Sequence, residues 1–93
     1  MAEHQDKATM VKPAKLYPQL LESRRRTISF RDFVALVMAF GFLEARAKGS
    51  HRCFRHSDCP RLLVIQPKGS DAKDYQVREL LDMIEQYGLT MED

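Results

Sequence analysis

Gly41 divides two different apolar rhythms, and that division limits the fold more than any other feature of the chain. Before it, Phe30, Phe33, Val34, Val37 and Met38 recur at helical spacing, and Phe40 widens the stripe. Ser29 is a good N-cap for that helix, and Asp32 stands where a carboxylate complements the N-terminal dipole. Ile28 can staple onto Phe33, and Gly41 is the natural stop. After Gly41 come three runs of strand length: residues 42–46, 51–56 and 61–66. The first two are joined by a tight turn at Ala47-Lys48-Gly49-Ser50 and the last two by Ser57-Asp58-Cys59-Pro60. The Leu62-Leu63-Val64-Ile65 run suits a central or well-covered strand. The helical period then returns from about Asp74 or Tyr75 to Tyr87, ending at Gly88, with Val77, Leu80, Leu81, Ile84 and Tyr87 as its buried stripe. Helix, three antiparallel strands, helix is an α+β order. Both helices can cover one face of such a sheet and leave the other for a ligand.

A chain of 93 residues makes one domain with a modest core. Residues 1–14 are polar and unpatterned and are expected to be a flexible leader. Residues 15–26 are expected to be a short helix followed by a basic connector. The helix rests on Leu16, Tyr17, Leu20 and Leu21, with Pro18 acceptable only in its first turn, and the connector is Arg24-Arg25-Arg26. The domain proper is residues 27–93. No apolar stretch is long enough to span a bilayer, and the N-terminus lacks the apolar core of a signal peptide, so the expected location is the cytoplasm, away from membranes. Cys53 and Cys59 then read as reduced thiols.

The net charge of +2 conceals a gradient. Residues 1–41 hold seven Lys/Arg against four Asp/Glu, residues 42–73 seven against three, and residues 74–93 one against six. A basic centre beside an acidic C-terminal segment points to a face for a polyanion.

Within that centre, Gly49-Ser50-His51 sets a histidine at a turn-to-strand junction between Lys48 and Arg52. Histidine titrates near neutral pH, so a solvent-reachable one among cations suits proton transfer at a phosphate. If Phe54 points into the core, alternation puts Arg52 and His56 on its face and His51, Cys53 and Arg55 on the other. His51, Cys53, His56 and Cys59 offer four donor side chains within nine residues, but without the paired Cys-x-x-Cys spacing of structural zinc sites. No metal and no cofactor are expected.

The run Lys48-Gly49-Ser50-His51-Arg52-Cys53-Phe54-Arg55-His56, preceded by Phe40-Gly41-Phe42, resembles the HicA toxins of bacterial toxin–antitoxin modules. The likeness continues through the third strand into Tyr75-Gln76-Val77-Arg78-Glu79-Leu80-Leu81 and Tyr87-Gly88-Leu89, covering roughly residues 27–89. It implies an α-β-β-β-α fold like that of double-stranded-RNA-binding domains, here with a short N-terminal helical extension. It implies an endoribonuclease that cleaves mRNA without a metal ion and is neutralised by a HicB-like antitoxin. The catalytic residue would be His51, with Gly49 and Ser50 shaping its turn. The phosphate contacts would come first from Lys48 and Arg52, the cations nearest in sequence, then from Arg46, Arg55 and Lys73, with Ser50 also at the RNA. Exposed charge on a hairpin is the other reading of these cations. A catalytically silent RNA- or DNA-binding module of the same fold is the alternative function. Residues 1–26 lie outside the minimal family pattern, and the loop at residues 67–74 is longer and more polar than in many members.

Overall fold

A computed structural model describes residues 11–22 and 27–91. They form α1 (Pro13–Leu21), α2 (Phe30–Ala39), β1 (Leu43–Lys48), β2 (His51–Arg55), β3 (Leu63–Ile65) and α3 (Asp74–Tyr87). Residues 1–10 of the expected leader and the Arg24-Arg25-Arg26 connector lie outside the described residues. The three strands form one antiparallel sheet in the order β1-β2-β3. This is the expected α+β arrangement, with α1 added in front.

α2 begins and ends on the residues that its sequence offers. The Ser29 hydroxyl oxygen accepts the Asp32 N–H at 3.0 Å, which satisfies one of the donors a helix start leaves open. Phe40 is the C-cap, and Gly41 follows at φ 94°, a conformation that a side chain would resist. Phe33, Leu36, Val37 and Phe40 are buried, but Met38 is 50% exposed. At 100° per residue Leu36 and Val37 flank the line through Phe33 and Phe40, whereas Met38 falls well off it. Leu36 therefore takes the core place that spacing alone assigned to Met38.

The inner face of the sheet carries Phe54, Leu63 and Ile65, all fully buried. They pack in one core with Phe33, Leu36 and Val37 of α2 and Leu80 and Met83 of α3. α3 stops at Gly88, whose φ of 63° is left-handed and whose N–H bonds the Ile84 carbonyl. Gln76 fixes α3 to the sheet: its Oε1 accepts the Gln66 N–H at 3.0 Å just past β3. The polar 67–74 loop is tied down as well, by Ala72 N–H to Ile28 O (3.0 Å) and Phe30 N–H to Ser70 O (2.8 Å).

Two expectations are corrected. The apolar 62–65 run, expected to be central or well covered, is an edge strand covered on its inner face alone, where Leu63 and Ile65 are buried, and β2 lies in the middle. Leu62 and Val64 are 44% and 40% exposed because they alternate onto the uncovered face. Pro18 lies in the second turn of α1, since the helix starts at Pro13, two residues before Lys15. An interior proline costs about 3 kcal/mol. Complete burial of Leu16 returns roughly 1.5–3 kcal/mol. The edge-on contact of Tyr17 with Phe40, at 4.9 Å, adds about 0.5–1.5 kcal/mol. Tertiary packing keeps the helix whole through its proline.

Candidate functional site

The face of the sheet away from the helices is built by β-strand parity and one irregularity. Along β2, Phe54 is buried and Arg55 and His51 are exposed, so His51, Cys53 and Arg55 share the outer face. β1 pairs with β2 as Leu43↔Arg55 and Glu44↔Phe54, then as Arg46↔Cys53, Ala47↔Arg52 and Lys48↔His51. Ala45 is thus an extra residue, a β-bulge between Glu44 and Arg46. Strict alternation from Leu43 would turn Arg46 and Lys48 toward the helices. The extra residue turns both outward, to the side of His51.

The hairpin loop is the two residues Gly49 and Ser50, both exposed. Gly49 has φ 59°, and the turns that suit a two-residue hairpin need positive φ at that position. His51 is the first residue of β2 and Lys48 is its direct partner. Side chains so paired stand about 5 Å apart at Cβ, and diagonal ones such as Arg46 about 7–8 Å. Arg55, four residues along the strand, is about 13 Å from His51. Lys48 is therefore the cation nearest His51 on this face, with Arg46 and Arg55 farther along it. The only carboxylate of the two hairpin strands, Glu44, takes the inner face, so every charge on the outer face of the hairpin is positive. Leu43 (60% exposed), Leu62 and Val64 surround it with apolar surface. Sequence reasoning had not assigned those three, although the alternation of Leu62 and Val64 with buried Leu63 and Ile65 was there to be read.

Two expected phosphate contacts are not brought to this row. Arg52 lies on the inner face. Its Nε and Nη2 donate to the two Glu44 carboxylate oxygens, both at 2.8 Å. Its guanidinium stacks over the Phe54 ring at 5.6 Å and the Phe30 ring at 5.9 Å. The Arg52 hydrogen bonds hold the Glu44 carboxyl below its usual range, against the desolvation that pushes it up. A lowered carboxylate pKa stabilises the fold above the unfolded-state value and is lost as pH falls through the folded one, so the bridge persists at neutral pH. Lys73 is the N-cap of α3 and lines a separate cleft of about 730 Å³ with Thr27, Lys68, Asp71, Tyr75 and Arg78.

His56 is half-buried, edge-on to Phe42 at 5.1 Å, and its Nδ1 accepts the Asp58 N–H at 3.0 Å. It shapes the turn after β2 and does not join His51. Cys53 and Cys59 are free thiols. Burial, then the Asp58 charge, raises the Cys59 thiol above its ordinary value. Among the described residues, no three His, Cys, Asp or Glu side chains gather as a metal site, and no helix is long and apolar enough to cross a membrane.

What this arrangement offers is one exposed histidine on a cationic, carboxylate-free sheet face. Among curated proteins and among solved structures, none matches the chain. A family model described as the HicA toxin of bacterial toxin–antitoxin matches residues 30–89, from the first residue of α2 to just past α3. That span is well over half the chain and contains the whole of the His51 face, and the chain therefore belongs to the HicA toxin family.

Proposed function

We propose that this protein is the toxin of a type II toxin–antitoxin pair and cleaves mRNA in the cytoplasm without a metal ion, His51 serving as general acid/base. The observation that carries the proposal is the pairing of exposed His51 with Lys48 on the cationic face. Neutral imidazole takes the proton of an RNA 2′-hydroxyl, and the 2′-oxygen attacks the adjacent phosphorus. The bond from phosphorus to the 5′-oxygen breaks, and that oxygen leaves with a proton from solvent or from the imidazolium. Lys48 offsets the charge that grows on the phosphoryl oxygens in between.

The expected products are a 2′,3′-cyclic phosphate and a 5′-hydroxyl. Cleavage should persist in excess EDTA, and a single 2′-deoxy nucleotide at the cut site should block it. Activity that chelation removes and a divalent cation restores would refute the mechanism.

An antitoxin of the HicB kind is the proposed partner, and the same face is its simplest target, with carboxylates in place of phosphates. Titrating RNA-bound toxin with the cognate antitoxin should release the RNA. A ternary complex with RNA affinity intact would put inhibition elsewhere.

One observation favours a second reading, a silent binding module: the outer row holds no carboxylate to serve as a second acid/base. The two readings part on cleavage itself, because a binder has none for His51→Ala to remove.

A further inference from the structure

β1 is exposed at all six positions, which leaves its register without the usual determinant. A strand with one buried face cannot slip, because a one-residue shift would carry its apolar set into solvent. β1 pays no such penalty. A specific competitor exists. Removing the bulge and lengthening the loop to Lys48-Gly49-Ser50 would pair Ala45 with Cys53, Arg46 with Arg52 and Ala47 with His51. Three-residue hairpin loops are common, so the turn alone does not forbid it. In that register Arg46 points inward beside Glu44, and Lys48 leaves the strand. The cationic row around His51 is lost.

Arg52 blocks that outcome. It fills the inner-face position opposite Ala47, and its fork occupies both Glu44 oxygens. The rings of Phe54 on β2 and Phe30 at the start of α2 hold the guanidinium from the helix side. The two side chains retain only 33% and 32% of their exposure, for Arg52 and Glu44 respectively. An inward Arg46 would find its carboxylate taken and a like charge directly across the strand pair, which is unfavourable.

We propose that Arg52, clamped to Glu44 and stacked on Phe30 and Phe54, is a positioning residue that keeps the β1 bulge in place and so holds Arg46 and Lys48 on the His51 face. The bearing of this clamp on RNA rests on the function proposed above; its bearing on the hairpin does not. Arg52 acts on the RNA only through Arg46 and Lys48.

The test uses Arg52→Met, which keeps the stem and removes the fork, and the double variant Glu44→Met/Arg52→Met, which also removes the carboxylate that would draw Arg46 inward. Cross-strand backbone NOEs report the register without RNA. Arg52→Met should replace the Arg46–Cys53 contact by one from Arg46 to residue 52, and the double variant should restore it. Binding is read with a 2′-O-methylated single-stranded RNA that cannot be cut. The log–log salt slope should fall by about 1.4, two contacts, in Arg52→Met and recover in the double variant. A direct phosphate role for Arg52 predicts instead a fall of about 0.7, one contact, with no recovery. That outcome, or an unshifted Arg46–Cys53 contact in Arg52→Met, overturns the clamp. Should Arg52→Met fail to fold, Arg52→Lys keeps the charge without the fork. It should show a mixture of the two registers, and a single native register would overturn the proposal. Should the wild type bind no RNA, the functional reading fails while the NOE comparison still decides the clamp.

Discussion

Replacing His51 by alanine is expected to lower RNA cleavage by about 10²–10⁴-fold, the usual contribution of one general acid/base step. RNA affinity should change little, since in the proposed mechanism the imidazole acts on a proton while Lys48, Arg46 and Arg55 supply the charge. Stability should change little as well. His51 is exposed at the mouth of a hairpin, and no core contact depends on it. Substitutions at such positions fall within about 0.5 kcal/mol, which for a domain of this size keeps the melting temperature within about 4 °C. Paired melting curves and cleavage assays check both halves. A large fall in melting temperature would make His51 a structural residue, and full activity in the variant would end its catalytic role.

The second large effect is a response to salt. Three outward cations, Arg46, Lys48 and Arg55, give a log–log slope of about −2 for single-stranded RNA, so raising monovalent salt from about 50 to about 200 mM should weaken binding about 20-fold. Lys48→Ala should flatten the slope to about −1.4 and weaken every RNA sequence alike, as the loss of a phosphate ligand does. Titrations at several salt concentrations measure this directly. A slope near zero would mean that the exposed Leu43, Leu62 and Val64 surface, not the cationic row, holds the nucleic acid.

Where single residues and their neighbours decide the outcome, the sequence was a good guide. Ser29 and Gly41 bound α2 as their side-chain and backbone chemistry demands, and Phe54 alone was enough to sort β2 into its two faces. Legibility failed where the deciding energy is spread over several elements. Nothing in Leu-Glu-Ala-Arg-Ala-Lys announces a bulge, because the strand has no glycine and no buried side to betray a break in alternation. The facing of Arg46 and Lys48 was therefore invisible, and so was the bridge that holds Arg52 on the inner face. Spacing favours Met38 over Leu36 because the expected stripe is centred on Phe30 and Val34, whereas the buried line runs through Phe33 and Phe40. Pro18 lies deeper in its helix than propensity allows, since propensity knows nothing of Phe40.

That last contact changes what should be regarded as the unit of inheritance. The segment common to the family begins at residue 30, yet Leu16, with no exposed surface, belongs to the same core as Phe33 and Phe54. A gene shortened to the shared segment would encode a molecule with a wound where α1 lay, Phe40 and its neighbours opened to water. The front helix is thus no ornament added to a finished fold. It closes one side of the hydrophobic box, so a change of side-chain volume at Leu16 or Phe40 is felt by both helices.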